Sequence, residues 1–197
     1  MDKNGMDVTG ERWQAMVAQF IRTLRPNIVV ETGVQTGVST RLFLEVIDEI
    51  KHGRLISIDP FSGYENPSPR WTFLRVPSYL GVPQTYIEHG PFDIFIHDSD
   101  HDAECQTLEY EFAWLFTKPG GFIVSDDISW GCHNAWDKFL ARHRLESERL
   151  GAAGVIRKPL EVGVVALADL GQHIEKIRVM AHAAGRVMDQ KPRYFLE

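Results

Sequence analysis

Ten residues in the middle of the chain, FIHDSDHDAE (95–104), place four acids and two histidines directly behind an apolar run. A second acidic pair, Asp126–Asp127, follows another apolar run. Carboxylates brought together at the ends of buried strands repel one another and lose solvation. They then keep protons at raised pKa values or share a cation. All-oxygen donors suit a hard ion, Mg²⁺ first, with Ca²⁺ or Mn²⁺ as alternatives. Asp98, Asp126 and Asp127 are the candidate metal ligands. His101 lies three residues after Asp98 and is the candidate base for a hydroxyl proton, with Asp98 beside it and His133 as a second candidate. Part of the cluster has a plainer role. Asp102 and Glu104 read as cap and first-turn acids of a helix, with Asp100 divided between cap and site. His97 should point away from Asp98 on the strand and reads as structural.

These residues need a scaffold, and the apolar pattern supplies one. Trp13, Met16, Val17, Phe20, Ile21 and Leu24 recur at helical spacing before Pro26. Residues 27–31 read as a buried strand, 38–50 as a helix stopped by Gly53, and 54–59 as a second strand. Residues 61–70 form a loop rich in Pro, Gly, Ser and Asn. A short strand over 72–76, a helix over 79–88 and a strand over 92–97 follow. Cys105, Leu108, Phe112 and Leu115 give the next helix its inner face, KPGG (118–121) ends it, and 122–126 is a strand. Residues 134–145 read as a helix. Residues 154–158 and 162–167 are expected to pair as a terminal hairpin. Alternating strands and helices imply an α/β fold: a doubly wound, Rossmann-like, mostly parallel seven-stranded sheet with helices on both faces and a C-terminal antiparallel hairpin. Ligands in such sheets bind beyond the strand C-termini. That places residues 31–40, 59–66, 97–102 and 125–133 at the mouth, where Tyr64, Trp71 and Trp130 are candidates to sandwich a ligand.

The stretch VVETGVQTGVST (29–40) carries a strand into a two-glycine turn and then a helix. Gly33 and Gly37 allow close backbone approach to a ligand. The middle glycine of the dinucleotide fingerprint is absent, with Gln35 in its place. The second strand ends in Asp59, where an acid commonly accepts hydrogen bonds from ribose hydroxyls. A nucleoside ligand is the expectation.

With these residues in place, the sequence resembles the class I S-adenosylmethionine-dependent methyltransferases. It is most similar to the small-molecule O-methyltransferase branch, whose pattern is fDlvfiDgdH…LkPGGllvvDD. The matching text here is FDIFIHDSDHDAE…FTKPGGFIVSDD, and the order of elements agrees over about residues 27–130. The resemblance implies that Glu31, Gly33, Gly37, Ser39, Asp59, Ser78 and Asp98 line an S-adenosylmethionine site, with residues 76–78 near the adenine. It also implies that a divalent ion on Asp98, Asp126 and Asp127 assists methyl transfer to a hydroxyl of a sugar, polyol or phenolic compound. Two departures stand out: Gln35 replaces a common glycine, and Val-Pro-Ser at 76–78 stands where many members carry an acid.

Composition bounds the rest. A chain of 197 residues with 44% apolar content suits one globular domain, divided here into an N-terminal helix (about 9–25), a cofactor half (27–90), a metal and acceptor half (91–170) and a tail (171–197). The net charge of −6 without a basic run argues against a nucleic-acid partner. No apolar stretch reaches membrane-spanning length, and the polar N-terminus does not read as a signal peptide. Two separated cysteines, Cys105 and Cys132, suggest reduced thiols and a cytoplasmic protein, and the resemblance implies a small-molecule acceptor as its partner. A homo-oligomer stays open. So do two other classes: a nicotinamide-dependent oxidoreductase, and a nucleoside-binding protein of the same fold without catalysis.

Overall fold

The computed structural model describes residues 10–129 and 134–160. His133, Trp130, Cys132, the expected strand at 162–167 and the tail from 171 lie outside the described residues.

Twelve elements follow one another: α1 (Gly10–Leu24), β1 (Ile28–Thr32), α2 (Val38–Ile50), β2 (Arg54–Ile58), β3 (Trp71–Leu74), α3 (Ser78–His89), β4 (Phe92–His97), α4 (Ala103–Phe116), β5 (Thr117–Ser125), α5 (Ala135–His143), β6 (Glu148–Leu150) and β7 (Ala153–Arg157). The strands form one sheet in the order β3-β2-β1-β4-β5-β7-β6. The first five run parallel, and β7 is antiparallel to both of its neighbours. The order reverses between β1 and β4, so the crevice at the strand C-termini lies there.

Strict alternation along the strands builds two cores. One side of the sheet, carrying Val29, Leu55, Ile94, Ile96 and Val124, packs against Trp13, Val17 and Ile21 of α1 and Phe43, Leu44 and Ile47 of α2. Buried Phe95 and His97 lie on the other side, where α4 presents Tyr110, Phe112 and Phe116. Burial of each large side chain contributes roughly 1.5–3 kcal/mol, so these layers hold the strand ends in place.

Three details add to the expected elements. KPGG (118–121) does follow the end of α4, but in extended conformation as the first part of β5. The register moves from Phe92↔Thr117 to Ile94↔Phe122, so the extra residues form a bulge beside Asp93. A strand not expected, β6, pairs with β7 through Leu150↔Ala153, and β7 occupies the free edge of β5, while the other expected arm, 162–167, lies outside the described residues. The helix N-cap is Asp102, which accepts from the Glu104 N–H at 2.8 Å, while Asp100 accepts from the Asp102 N–H at 3.1 Å. No helix among the described residues is long and apolar enough to cross a membrane.

Candidate active site

The glycine turn is built by close approach. Gly33 adopts φ +84°, and a Cβ there would lie 1.9 Å from the Asp98 carbonyl oxygen. Its N–H donates to the Ile58 carbonyl at 2.9 Å. The ends of β1, β2 and β4 therefore meet at a residue that cannot carry a side chain. Gly37, at φ +78°, faces the Tyr64 ring, which would lie 2.3 Å from an added Cβ. Gln35 takes a left-handed φ of +47° in the position where a glycine is common. At both glycines the space a side chain would take is filled by the protein itself, by the Asp98 carbonyl at Gly33 and by the Tyr64 ring at Gly37.

The acids around the turn divide by role. Glu31 is fully buried, and its carboxyl accepts from Ser39 Oγ at 2.9 Å, Thr40 Oγ1 at 2.8 Å and Ser57 Oγ at 2.8 Å. Burial pushes its pKa up to about 7 even though the hydroxyls favour the charged form. Glu31 and Ser39 thus pair with each other and fasten the first turn of α2 to β1. Trp71 stands at the start of β3, and its indole N–H donates to Ser57 Oγ at 3.0 Å, extending the same network.

Asp59 pins the two walls of the turn. Its Oδ2 accepts from the N–H groups of Val34 at 2.9 Å and Gln35 at 3.0 Å. Its Oδ1 accepts from Phe61 at 2.7 Å and Ser62 at 2.9 Å. Although burial works to raise it, these four donors hold the carboxyl below its usual pKa. An ionised carboxylate offers about four lone-pair sites, so a ribose hydroxyl reaching Asp59 must share or replace one of these bonds. Ser62 adds a link from its hydroxyl to the Gln35 carbonyl at 2.8 Å.

Asp98 follows β4, and Asp126 and Asp127 follow β5, its neighbour in the sheet. The Asp126 N–H donates to the His97 carbonyl at 2.9 Å, which fixes the two strand ends side by side. Burial, then the charges of Asp126, Glu31 and Asp127, push the Asp98 pKa up to about 8. Burial and Asp127 raise Asp126 as well, although the Asp127 N–H donates to its Oδ1 at 2.8 Å. Asp127 itself adopts φ +48°, an uncommon backbone conformation for a residue with a side chain. The three acids feel one another's charge. Even so, among the described residues no three His, Cys, Asp or Glu side chains are gathered closely enough to hold a metal ion as they stand.

His101 sits at the mouth with its Nε2 3.9 Å from Asp127 Oδ2. Burial, then the neighbouring His97, lower its pKa against the opposing pull of Asp127, Asp100 and Glu109. It is therefore neutral and able to accept a proton at neutral pH.

The family comparison agrees with this geometry. A family model described as "Methyltransferase domain" matches residues 30–128, from the middle of β1 through the acidic pair after β5. The chain belongs to the methyltransferase-domain family. It is an S-adenosylmethionine-dependent methyltransferase. Solved structures share its fold at low identity. The calicheamicin methyltransferase CalS11 is 15% identical with a TM-score of 0.61, covering 76% of this chain and 78% of its own. The mycinamycin-pathway methyltransferase MycE, in complex with Mg, SAH and mycinamycin VI, is 16% identical with a TM-score of 0.61 and covers 76% of this chain. This methyltransferase spans half the length of the MycE chain. An O-methyltransferase from Bacillus cereus in complex with SAH is 14% identical with a TM-score of 0.56, covering 75% of this chain and 81% of its own. No curated protein matches the sequence.

Several expected residues of the methyltransferase come together: Gly33 touches Asp98, Gly37 touches Tyr64, and His101 faces Asp127. Ser78 opens α3, and its hydroxyl is among the groups that lower the pKa of Glu109. Sequence reasoning missed Glu109, which is buried in α4 beneath the acidic turn. The signal was present in its spacing, four residues after Cys105 and between Leu108 and Phe112 on the inner face. Its charge argued for the outer one.

Proposed function

We propose that this methyltransferase transfers the methyl group of S-adenosylmethionine to a hydroxyl of a small molecule, a sugar, polyol or phenolic compound, with a divalent cation assisting. The observation that carries the reading is the placement of a neutral His101 beside Asp127, at strand ends where Asp98 and Asp126 are held at raised pKa. Methyl transfer from a sulfonium needs alignment more than covalent chemistry from the protein. The glycine turn at Gly33 and Gly37, stiffened by Asp59, supports the donor. Glu31 and Ser39 act from behind it, fixing α2, while Ser78 and Asp98 border the same cradle. His101 accepts the hydroxyl proton as the acceptor oxygen bonds to the methyl carbon and the sulfur leaves as a neutral thioether.

Asp98, Asp126 and Asp127 would hold the cation, Mg²⁺ by their all-oxygen chemistry. A cation there would relieve the mutual repulsion and would lower the pKa of an acceptor hydroxyl. Relatives of the same fold support this choice: MycE was solved with Mg and SAH, and CalS11 is described as a TDP-rhamnose 3'-O-methyltransferase. The experiment is turnover of S-adenosylmethionine against a panel of sugars, polyols and phenols, with Mg²⁺ or with excess chelator. Methyl ether formation that chelator abolishes and Mg²⁺ restores is the expected result. Methylation confined to amines or thiols would refute the acceptor class, and full activity in chelator would refute the cation.

A further inference from the structure

Glu109 is a charged residue where the helix pattern calls for an apolar one, and it is 1% exposed. A buried carboxylate is costly unless its oxygens are satisfied. Here they are: Oε2 accepts from Thr32 Oγ1 and pairs with His97 Nδ1 at 2.7 Å, and Oε1 accepts from Ser99 Oγ at 2.7 Å. The Ser78 hydroxyl, a third, also favours the charged form of Glu109. Each donor adjoins the site or its border. Thr32 precedes Gly33, and His97 and Ser99 stand on either side of Asp98 in the chain. The His97 ring also meets His101 edge-on, with centroids 5.6 Å apart and planes at 89°. One side chain on α4 thus holds the residues before and after Asp98 and supports the ring behind His101.

We propose that Glu109 is a positioning residue for methyl transfer: through Ser99 and His97 it fixes the turn that carries Asp98 and His101. The role rests on the hydroxyl-methylating reading of the site. A stability role alone does not require an acid, because buried charged groups are often replaceable by apolar ones of similar volume without loss of stability. The acid is explained by what it grips, which is a set of polar side chains at the ends of β1 and β4 and in the turn that follows.

The test uses Ser99→Ala, which cuts the link to the turn and leaves the core intact, beside Glu109→Gln. Three readouts are taken: amide hydrogen exchange over residues 98–102 relative to 123–124, kcat with the accepted hydroxyl substrate, and thermal midpoint. Ser99→Ala should speed exchange at 98–102 and lower kcat by about 10–100-fold, the usual cost of removing an outer support, with the thermal midpoint nearly unmoved. Ser99→Thr should restore both. Glu109→Gln should act in the same direction if it folds, and Ser99→Ala decides the matter if it does not. Unchanged exchange in Ser99→Ala, or faster exchange with wild-type kcat, overturns the proposal. If the wild-type protein methylates no hydroxyl compound, the functional reading falls by itself, and exchange over 98–102 still decides whether Glu109 holds the turn.

Discussion

Asp59→Ala removes the acceptor of four backbone N–H groups, two from each wall of the cofactor turn. Hydrogen bonds to a charged group contribute roughly 1.5–3 kcal/mol each when buried. Asp59 is only half-buried, so freed N–H groups can reach water, and the losses are not additive. A total of about 2–4 kcal/mol follows, or roughly 4–16 °C in thermal midpoint for a domain of this size. Asp59→Asn keeps one acceptor oxygen and should lose about half as much. The pH dependence has a definite sign. The folded-state pKa lies below the unfolded value, so the stabilisation is fully present above the unfolded pKa near 3.8 and fades as pH falls through the folded one. The gap between wild type and Asp59→Ala should therefore stay constant from pH 8 to 5 and close only in stronger acid. Thermal melts across that range, with calorimetric titration of S-adenosylhomocysteine at pH 7.5, check both consequences. The cofactor product should bind more weakly, because the turn loses its pin and with it the acceptor proposed for the ribose. A folded Asp59→Ala protein that melts within about 1 °C of wild type and binds S-adenosylhomocysteine equally well would refute the reasoning.

Four further outcomes are expected. Mg²⁺ affinity should rise about tenfold between pH 7 and pH 9, because an Asp98 carboxyl with a pKa of about 8 must lose its proton to bind; calorimetry in buffers of different ionisation enthalpy would show the released proton, and a flat profile would contradict it. His101→Ala should lower kcat by about 10²–10⁴-fold with S-adenosylhomocysteine affinity unchanged. With Mg²⁺ saturating at every pH, the wild-type pH–rate profile should rise and reach its plateau below the ordinary histidine range, since a lowered pKa keeps the base neutral to lower pH. Gly33→Ala should destroy cofactor binding or folding, because its methyl would lie 1.9 Å from a backbone oxygen, whereas a soluble, binding-competent variant measured by circular dichroism and titration would deny that contact.

The parallel strands and their helices were legible because burial on both faces leaves near-continuous apolar runs such as 92–97, and because periodicity changes sharply between strand and helix. The approach of Gly33 to Asp98 was foreshadowed by the glycine turn and the topology rule together. What resisted reading was pairing. Glu31 and Asp59 stand at strand ends where acids meet ligands, yet the structure shows them saturated by Ser39, Thr40 and Ser57 in one case and by backbone N–H groups in the other. Nothing in local pattern reveals how many donors a folded loop brings to a carboxylate. Glu109 was hidden for the same reason, since its partners lie 10 to 77 residues away. The strand β6 was not legible because it is only three residues long, two of them charged, too short to show a period.

The placement of β7 between β5 and β6 has a consequence during synthesis. β5 is complete at Ser125, but the strand that covers its outer edge is not reached until Ala153. At about 5–20 residues per second, the ribosome exposes that edge for roughly one to six seconds. The edge is the apolar run Phe122–Ile123–Val124, and an unpaired edge of that kind recruits strands from other chains. Slow elongation across residues 126–152 would lengthen the window, and rapid elongation or a chaperone that masks the edge would shorten its effect. Recovery of intact protein from a host cell would then depend on translation speed over that segment, independently of how stable the finished sheet is.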